Sequence, residues 1–517
     1  MKLFKAIIFL FTLCLSGHFA FGQNEMDLLR YSFTAPHGTA RSMAMGNSFS
    51  ALGADISVAN VNPAGLAMIR KNEINFSPGI QINNTTSNHY GNRDRGGRAN
   101  FNFQNFAYLI AIDTKDSDWV SSSLTFSFHS RYNTFIGQTD ITGVNTESSL
   151  ARHFASEAEG IPSQNFELDQ PSQPFTGALA WWTFLIDPAN AAETEYTTMV
   201  QGDVLQQKRI ETEGRHSEFS FAYAANYRNK LMIGVNVGFP RIRFEQESLH
   251  YEEAADDNSY YPIFDENGNE VGREDFGSLA YREEMSVSSR ALSGINATVG
   301  LLMLPNDWLR LGASFTTPTT ITLEERYRAS LDTEFITEMD NGDVYVDEYG
   351  DASSINVIDY RVNTPMRAHF SAGFVLGGKV LINAETEIVR YNGMQLLQTR
   401  RTNFNFDDTN NLVSDLFHTT ANYRLGFEYR IHPAFSLRAG GGYFGSPYKS
   451  RHQTDNDMSR IMYSFGGGYR TGSFYFDVAF NTIQWSEDFY LYNPQIIQSS
   501  NLNRSITQVL TTVGYRF

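Results

Sequence analysis

The feature that most constrains this chain is a two-residue alternation of apolar and polar side chains. It recurs in strand-length runs up to the last residue. In 417–431 one face reads Phe417, Thr419, Ala421, Tyr423, Leu425, Phe427, Tyr429, Ile431, and the other His418, Thr420, Asn422, Arg424, Gly426, Glu428, Arg430. Residues two apart share one face of a strand, so each run is an amphipathic strand rather than a helix. The same pattern sets Phe219, Phe221, Tyr223 and Tyr227 against Glu218, Ser220, Asn226 and Arg228. It also sets Val509, Thr511, Val513, Tyr515 and Phe517 against Gln508, Leu510, Thr512, Gly514 and Arg516. A soluble β-sandwich alternates too. Here the polar face carries Arg, Glu, Asn and Gly in strand after strand, and the apolar face is aromatic-rich near its ends. These are marks of a wet interior and of girdles at two membrane interfaces.

About fourteen such runs can be placed, an even number as outer-membrane barrels require. They lie at 72–85, 101–113, 119–138, 216–229, 231–250, 285–304, 308–329, 355–376, 380–398, 417–431, 435–449, 459–471, 473–492 and 504–517. Short connections such as "DTKDSD", "RNK", "PND", "LGGK", "HPA" and "TG" alternate with long ones at 86–100, 139–215, 251–284, 330–354, 399–416, 450–458 and 493–503. Short periplasmic turns and long extracellular loops produce this asymmetry, and a sandwich has no reason to keep it. The expected fold is all-β: a transmembrane antiparallel up-and-down β-barrel spanning 72–517.

Residues 1–22 read as a secretory leader. Lys2 and Lys5 precede an apolar core, Ala6 to Leu15, too short to span a bilayer, and Ala20-Phe21-Gly22 offers a cleavage site. The single cysteine, Cys14, lies inside it, so the mature chain has no disulfide and no thiolate metal site. A net charge of −17 argues against nucleic-acid binding. No Gly-x-Ser-x-Gly or His-Glu-x-x-His motif occurs, and His129, His250, His369 and His418 are scattered, so an enzyme is not expected. "DENGNEVGRED" (265–275) is acidic, but its glycines are misplaced for a calcium loop. Asn267-Gly268 reads as a tight turn. No metal or cofactor is expected. A last strand ending Val513, Tyr515, Phe517 is of the kind read by the outer-membrane assembly machinery.

Residues 23–71 do not alternate. They contain "GTARSMAMGNSFSAL" and then "GADISVANVNPAGLAMI". Gly38, Ala40, Arg41, Met43, Met45-Gly46, Phe49, Ala51, Asp55 and Ser57, followed by Asn62-Pro63-Ala64-Gly65-Leu66, resemble the N-terminal hatch of the long-chain fatty-acid transporters of Gram-negative outer membranes (FadL-type, including aromatic-hydrocarbon channels). Asn47 stands where a third glycine is common, and the likeness is clear over 38–70. The resemblance implies a fourteen-stranded monomeric barrel with 23–71 as a plug inside the lumen. It implies passive uptake of long-chain fatty acids or aromatic hydrocarbons: capture in outer loops, movement of the hatch, and lateral release to outer-membrane lipid. Asn62 would bond the polar lumen and Pro63 hold a bend. The alternative from another class is an adhesin or surface-binding protein acting through its acidic loops.

Trp181, Trp182, Phe184 and Leu185, in the longest loop, are the candidate capture groove, since exposed apolar clusters mark binding sites. They fit equally well as that loop's own small core or as residues facing the lipid interface. The family's third strand is kinked inward; here that is 119–138, with only Gly137 as a breaker. Ser77-Pro78-Gly79 and Gly238-Phe239-Pro240 are chemically better breakers, Pro240 reading as a harmless bulge. Lumen-side Arg424, Arg430, Arg438, Arg470 and Arg516 could meet a carboxylate, but pairing with residues such as Glu428 and Asp477 is the commoner fate of lumen arginines. The substrate and the position of the wall opening are not fixed by the sequence.

Overall fold

Each alternating run forms a strand, and the strands close on themselves. The computed structural model describes residues 25–33, 36–114, 118–132, 135–167, 175–200, 202–254, 260–264, 270–275, 278–338, 344–402, 404–454 and 456–517. The leader and Asn267-Gly268 lie outside them. The strands flanking the latter, Tyr260–Phe264 and Glu270–Asp275, pair antiparallel.

A sheet of 19 strand segments forms a closed antiparallel barrel of 14 strands. In chain order these are β1 (Glu73–His89), β2 (Asn92–Asp113), β3 (Trp119–Tyr132, resuming as Gly137–Asn145), β4 (Val204–Tyr227) and β5 (Leu231–Ala254). There follow β6 (Ser278–Met303), β7 (Leu309–Thr316 and Thr320–Glu338), β8 (Val344–Ala352, Asn356–Asn363 and Arg367–Leu376) and β9 (Val380–Arg390). The last five are β10 (Thr419–His432), β11 (Phe435–Phe444), β12 (Asp457–Thr471), β13 (Phe474–Phe489) and β14 (Ser500–Arg516). Neighbours in sequence pair, and β14 returns to β1 with Glu73 opposite Arg516 and Asn88 opposite Asn501.

The faces fall as the alternation predicts. On β10, Tyr423, Leu425, Phe427, Tyr429 and Ile431 are exposed to the outside, while Asn422, Arg424 and Glu428 are buried within. Cross-strand aromatic pairs ring the short-turn end: Trp119 with Tyr227, Trp308 with Phe374, Phe435 with Tyr469, and Phe474 with Tyr515. Such rings suit an interface where one side is apolar and the other wet.

Two expectations are corrected. Residues 86–100 are not a long loop: β1 and β2 run on to a tight turn at Tyr90-Gly91, both at positive φ (44° and 86°). That is the backbone of a two-residue hairpin. Most of 330–354 is likewise strand, with Ser330–Glu338 paired to Val344–Ala352. The second correction is β3, which does not run unbroken through 119–138. Strands such as the 26-residue β6 are far longer than the roughly 10 residues a bilayer needs, so the wall continues outside the membrane. There both faces meet water or loops, and the apolar alternation that reveals a strand is lost.

Candidate functional site

Three layers fill or cover the barrel. The lowest is built from residues 36–69. A short helix α2 (Ala40–Ala44) starts at the Thr39 cap, and two 3-10 turns follow, each capped by its own side chain, Asp55 and Asn62. These caps satisfy the first free N–H groups of turns too short to do so themselves. Asn62 Oδ1 accepts from Ala64 N, and Asn62 Nδ2 donates to Leu301 O at 3.1 Å. Pro63 is the first residue of its turn, where a missing N–H is harmless.

The segment bonds to the inner wall nearly all the way round. Ala40 N donates to Thr512 Oγ1, Ser464 Oγ to Ala44 O, Ser50 Oγ to Glu385, and Ser314 Oγ to Val61 O. Asn60 meets His129, Ser220 and Asn236. Arg41 Nε lies 2.8 Å from Glu428 Oε2, itself held by Arg438 at 2.8 Å, which also meets Asp477 at 2.6 Å. The wall makes room with glycine. A Cβ on Gly440 would strike the backbone of Met45 and Gly46, one on Gly234 that of Pro63 and Ala64, and one on Gly300 the Asn62 amide. Gly65 serves the same end inside the segment, against Gly53 and Val58.

Above this layer is an apolar chamber. Helix α1 (Glu25–Ser32) buries Leu28, Leu29 and Tyr31 there, among wall residues such as Phe244, Ile321, Tyr360 and Phe444. Two arginines enter it: Arg30 of α1, over the Phe244 ring at 4.4 Å and paired with Asp27 at 2.6 Å, and Arg460. Arg460 is 5% exposed and lies between the rings of Phe33 and Phe444, at 4.4 and 5.1 Å. Among the described residues it has no ion-pair partner, and its Nε is unbonded. Other lumen arginines are engaged: Arg424 by Glu385, Arg430 by Glu428, Arg516 by Glu73. Arg470 lies over Tyr475. Alternation marks Arg460 only as one more inward arginine; its lack of a carboxylate is set by distant strands.

The outer layer is a cap over the mouth. Helices α3 (Leu150–Ala158) and α4 (Phe175–Trp182) and the small hairpin Ile186–Pro188/Tyr196–Thr198 share a second apolar core with Leu279, Tyr281 and Leu331 of the extended wall. Leu185 is buried in that core and Trp181 packs on it, meeting Tyr196. Trp182 and Phe184 face outward, 52% and 49% exposed. The four residues thus divide into two and two. Phe184 closes α4 at φ 58°, its N–H on Trp181 O and that of Leu185 on Ala180 O. That position normally takes glycine. A strained aromatic there presents its ring to the edge of Tyr349 at 4.7 Å.

The wall is interrupted at β3. The β2–β3 ladder stops at Asn105 opposite His129. Beyond it β3 resumes at Gly137 paired with β4 alone, and Asn92–Phe103 of β2 pairs with β1 alone among the described residues. The resumed strand has moved inward: Ser87 Oγ donates to Asp140 O, and a Cβ on Gly96 would press on Gln138 O. Phe135, at the bend, points into the apolar chamber against Tyr31 and Phe244. Outside, Arg98 of β2 reaches over the interruption to Glu211 and Glu213 of β4, the latter at 2.7 Å. The two prolines do less. Pro78 sits at a bulge opposite Phe103, and Pro240 still pairs with Glu218 while the β5–β6 ladder skips four residues beside it.

Residues 217–507 match the family model described as outer membrane protein transport protein (OMPP1/FadL/TodX). The chain belongs to this family. It is an outer-membrane β-barrel of the type that transports hydrophobic compounds, and not an enzyme. A FadL homologue from Pseudomonas aeruginosa has the same fold, with a TM-score of 0.52 at 11% identity over 94% of this chain and 100% of that one. The toluene transporter TodX of Pseudomonas putida scores 0.48 at 13% identity, over 93% and 98%. Comparison with curated protein sequences gives no match.

Proposed function

We propose that this barrel passes amphipathic hydrophobic compounds, long-chain carboxylic acids foremost, from the outer surface through the lumen and sideways into the membrane by diffusion. The observation that carries the reading is Phe135: the residue at the β3 bend belongs to the apolar chamber, so chamber and wall interruption adjoin. An apolar solute following that path never has to cross the polar lumen floor. Trp182 and Phe184 supply the exposed apolar surface for capture. Residues 36–69 act as the hatch, their many wall bonds sealing the bore against small polar solutes. The acid is favoured over a pure hydrocarbon by Arg460, because a guanidinium kept dry without a carboxylate is costly until an anion joins it. The whole route lies within one barrel, so one copy suffices, and the last strand is the segment offered to the assembly machinery.

Vesicles carrying the purified protein test this with three solutes: a fluorescent long-chain acid, a toluene analogue and a small sugar. The acid and the hydrocarbon should enter and the sugar should not. Arg460→Gln should weaken acid entry about tenfold, the scale of one charge-assisted hydrogen bond, and leave the hydrocarbon unchanged. Sugar entry at a comparable rate refutes the sealed lumen. Equal loss of both apolar solutes makes Arg460 structural.

A further inference from the structure

The outer surface of the barrel just above the lipid-facing band differs from side to side. On β13, β14 and β1 the outward positions are neutral, for example Gln484, Asn503, Ser505, Asn84 and Thr86. On β4 to β7 arginines stand among them, with glutamates such as Glu213 and Glu245 at the next outward positions of β4 and β5. Arg215, Arg243 and Arg290 stand directly opposite one another on three successive strands. Like charges so placed repel. Arg241 lies two residues below Arg243, and Arg326 and Arg328 face Ser288 and Ser286 across the β6–β7 pairing. This happens in a chain whose net charge is −17.

Local carboxylates do not cancel the group. Glu245 takes Arg243 at 2.7 Å, and Glu324 is shared by Arg290 and Arg326 at 2.9 and 3.2 Å. Glu211 and Glu213 are already engaged by Arg98. Arg215 and Arg328 have no ion-pair partner among the described residues. Height is fixed by the neighbours below: Phe239, Leu292 and Ile295 are exposed apolar residues two to five positions away on the same strands. The arginines therefore stand where outer-leaflet headgroups lie. Arg243, Arg290 and Arg326 also border a cleft of about 390 Å³, lined as well by Ser288 and Ser289 and by Glu245 and Glu324, so three guanidinium groups there meet two carboxylates.

We propose that this face binds the phosphorylated glycolipid of the outer leaflet, its phosphates on Arg243, Arg290 and Arg326 and its acyl chains on Phe239 and Leu292. Phosphate fits because the guanidinium fork offers paired N–H groups to two of its oxygens, and one phosphate can screen several arginines at once. An apolar shelf directly beneath a cationic cleft matches a lipid and not a free ion.

The test uses the full-length protein in detergent and native mass spectrometry with bisphosphorylated lipid A, dephosphorylated lipid A or inorganic phosphate. Lipid A should be retained, the dephosphorylated form at least tenfold more weakly, and inorganic phosphate should compete only at millimolar concentration. R243Q/R290Q/R326Q should lose at least tenfold in lipid A binding, while Asn503→Gln on the opposite face should not. Heat-modifiable migration reports whether the barrel is closed; if the triple variant fails that check, R215Q/R328Q, which breaks no ion pair, should still lose several-fold. Retention by the closed variants within twofold of the parent, or equal binding of the dephosphorylated lipid, overturns the proposal. So does capture of inorganic phosphate without capture of lipid A.

Discussion

Glu428→Gln should release the N-terminal segment from the wall without opening the barrel. Glu428 is buried and accepts three arginines: Arg41 from the segment at 2.8 Å, and Arg438 and Arg430 from the wall at 2.8 and 3.1 Å. The amide cannot balance their charge. Arg438 keeps Asp477, but Arg41 keeps only neutral partners, Ala54 O at 3.2 Å and the Phe49 ring at 4.7 Å. Stranding one charge of a buried pair costs about 3–5 kcal/mol. If about 3 kcal/mol of this is relieved on detachment, the detached population rises roughly two orders of magnitude, at about 1.4 kcal/mol per decade. Arg41→Met should do less, about tenfold, since Glu428 retains Arg438 and Arg430. The assay is thiol labelling of a cysteine placed at Ala59, buried in the segment, in a chain whose native Cys14 has been removed. Barrel closure is followed in parallel by heat-modifiable migration. Labelling of E428Q within twofold of the parent, or faster labelling of R41M than of E428Q, would refute the charge-balance reasoning.

Gly440→Val places a side chain where the backbone of Met45 and Gly46 lies; labelling near residue 45 should rise by the 1–3 kcal/mol typical of overpacking, or more, and protease protection of 40–49 should fall. Arg98→Ala removes the span from β2 to β4, so lateral release from vesicles should quicken a few-fold, and high salt should mimic it in the parent because the pair is partly exposed. Phe184→Gly relieves a left-handed aromatic, so the cap should gain about 1 kcal/mol in stability while capture of an apolar probe at the surface weakens. The cap should also loosen in acid. Burial holds His89, His153 and His250 below the usual histidine value, with Lys208 adding to the effect at His153 and His250, and Glu252 opposing it at all three. The closed cap thus binds fewer protons than the opened one once pH falls toward about 6.5, and its stability drops as pH falls further. Amide exchange in Leu150–Ala158, corrected for intrinsic rate, should rise between pH 7 and 5, and less so in His250→Asn.

Strand number and order, and which face of β10 or β14 meets lipid, were legible because the bilayer enforces a strict alternation. The Asn62-Pro63 bend was legible as well. The β1–β2 extension was not: "GNRDRGGRAN" lies beyond the lipid, where neither face must be apolar, and it looks like a loop. The β3 bend was implied only by the family resemblance, since the strand carries no proline and only Gly137 as a local breaker. It is held by contacts from Ser87, Gly96, Tyr31 and Phe244 rather than by local chemistry. Conversely Pro240, the strongest local breaker, is carried through its strand by an unbroken ladder with β4. Arg460 escaped notice because isolation of a charge is a property of everything around it and not of its own neighbours in sequence.

The bonds from residues 40–64 reach Leu301, Glu385, Glu428, Ser464 and Thr512, so this segment's partners are synthesised hundreds of residues after it. Until β14 arrives to meet β1, that portion has no finished surface to settle on. The seat is cut to shape: only where Gly234, Gly300 and Gly440 leave room can the segment's backbone lie against the wall, so a segment displaced along the bore would meet side chains instead.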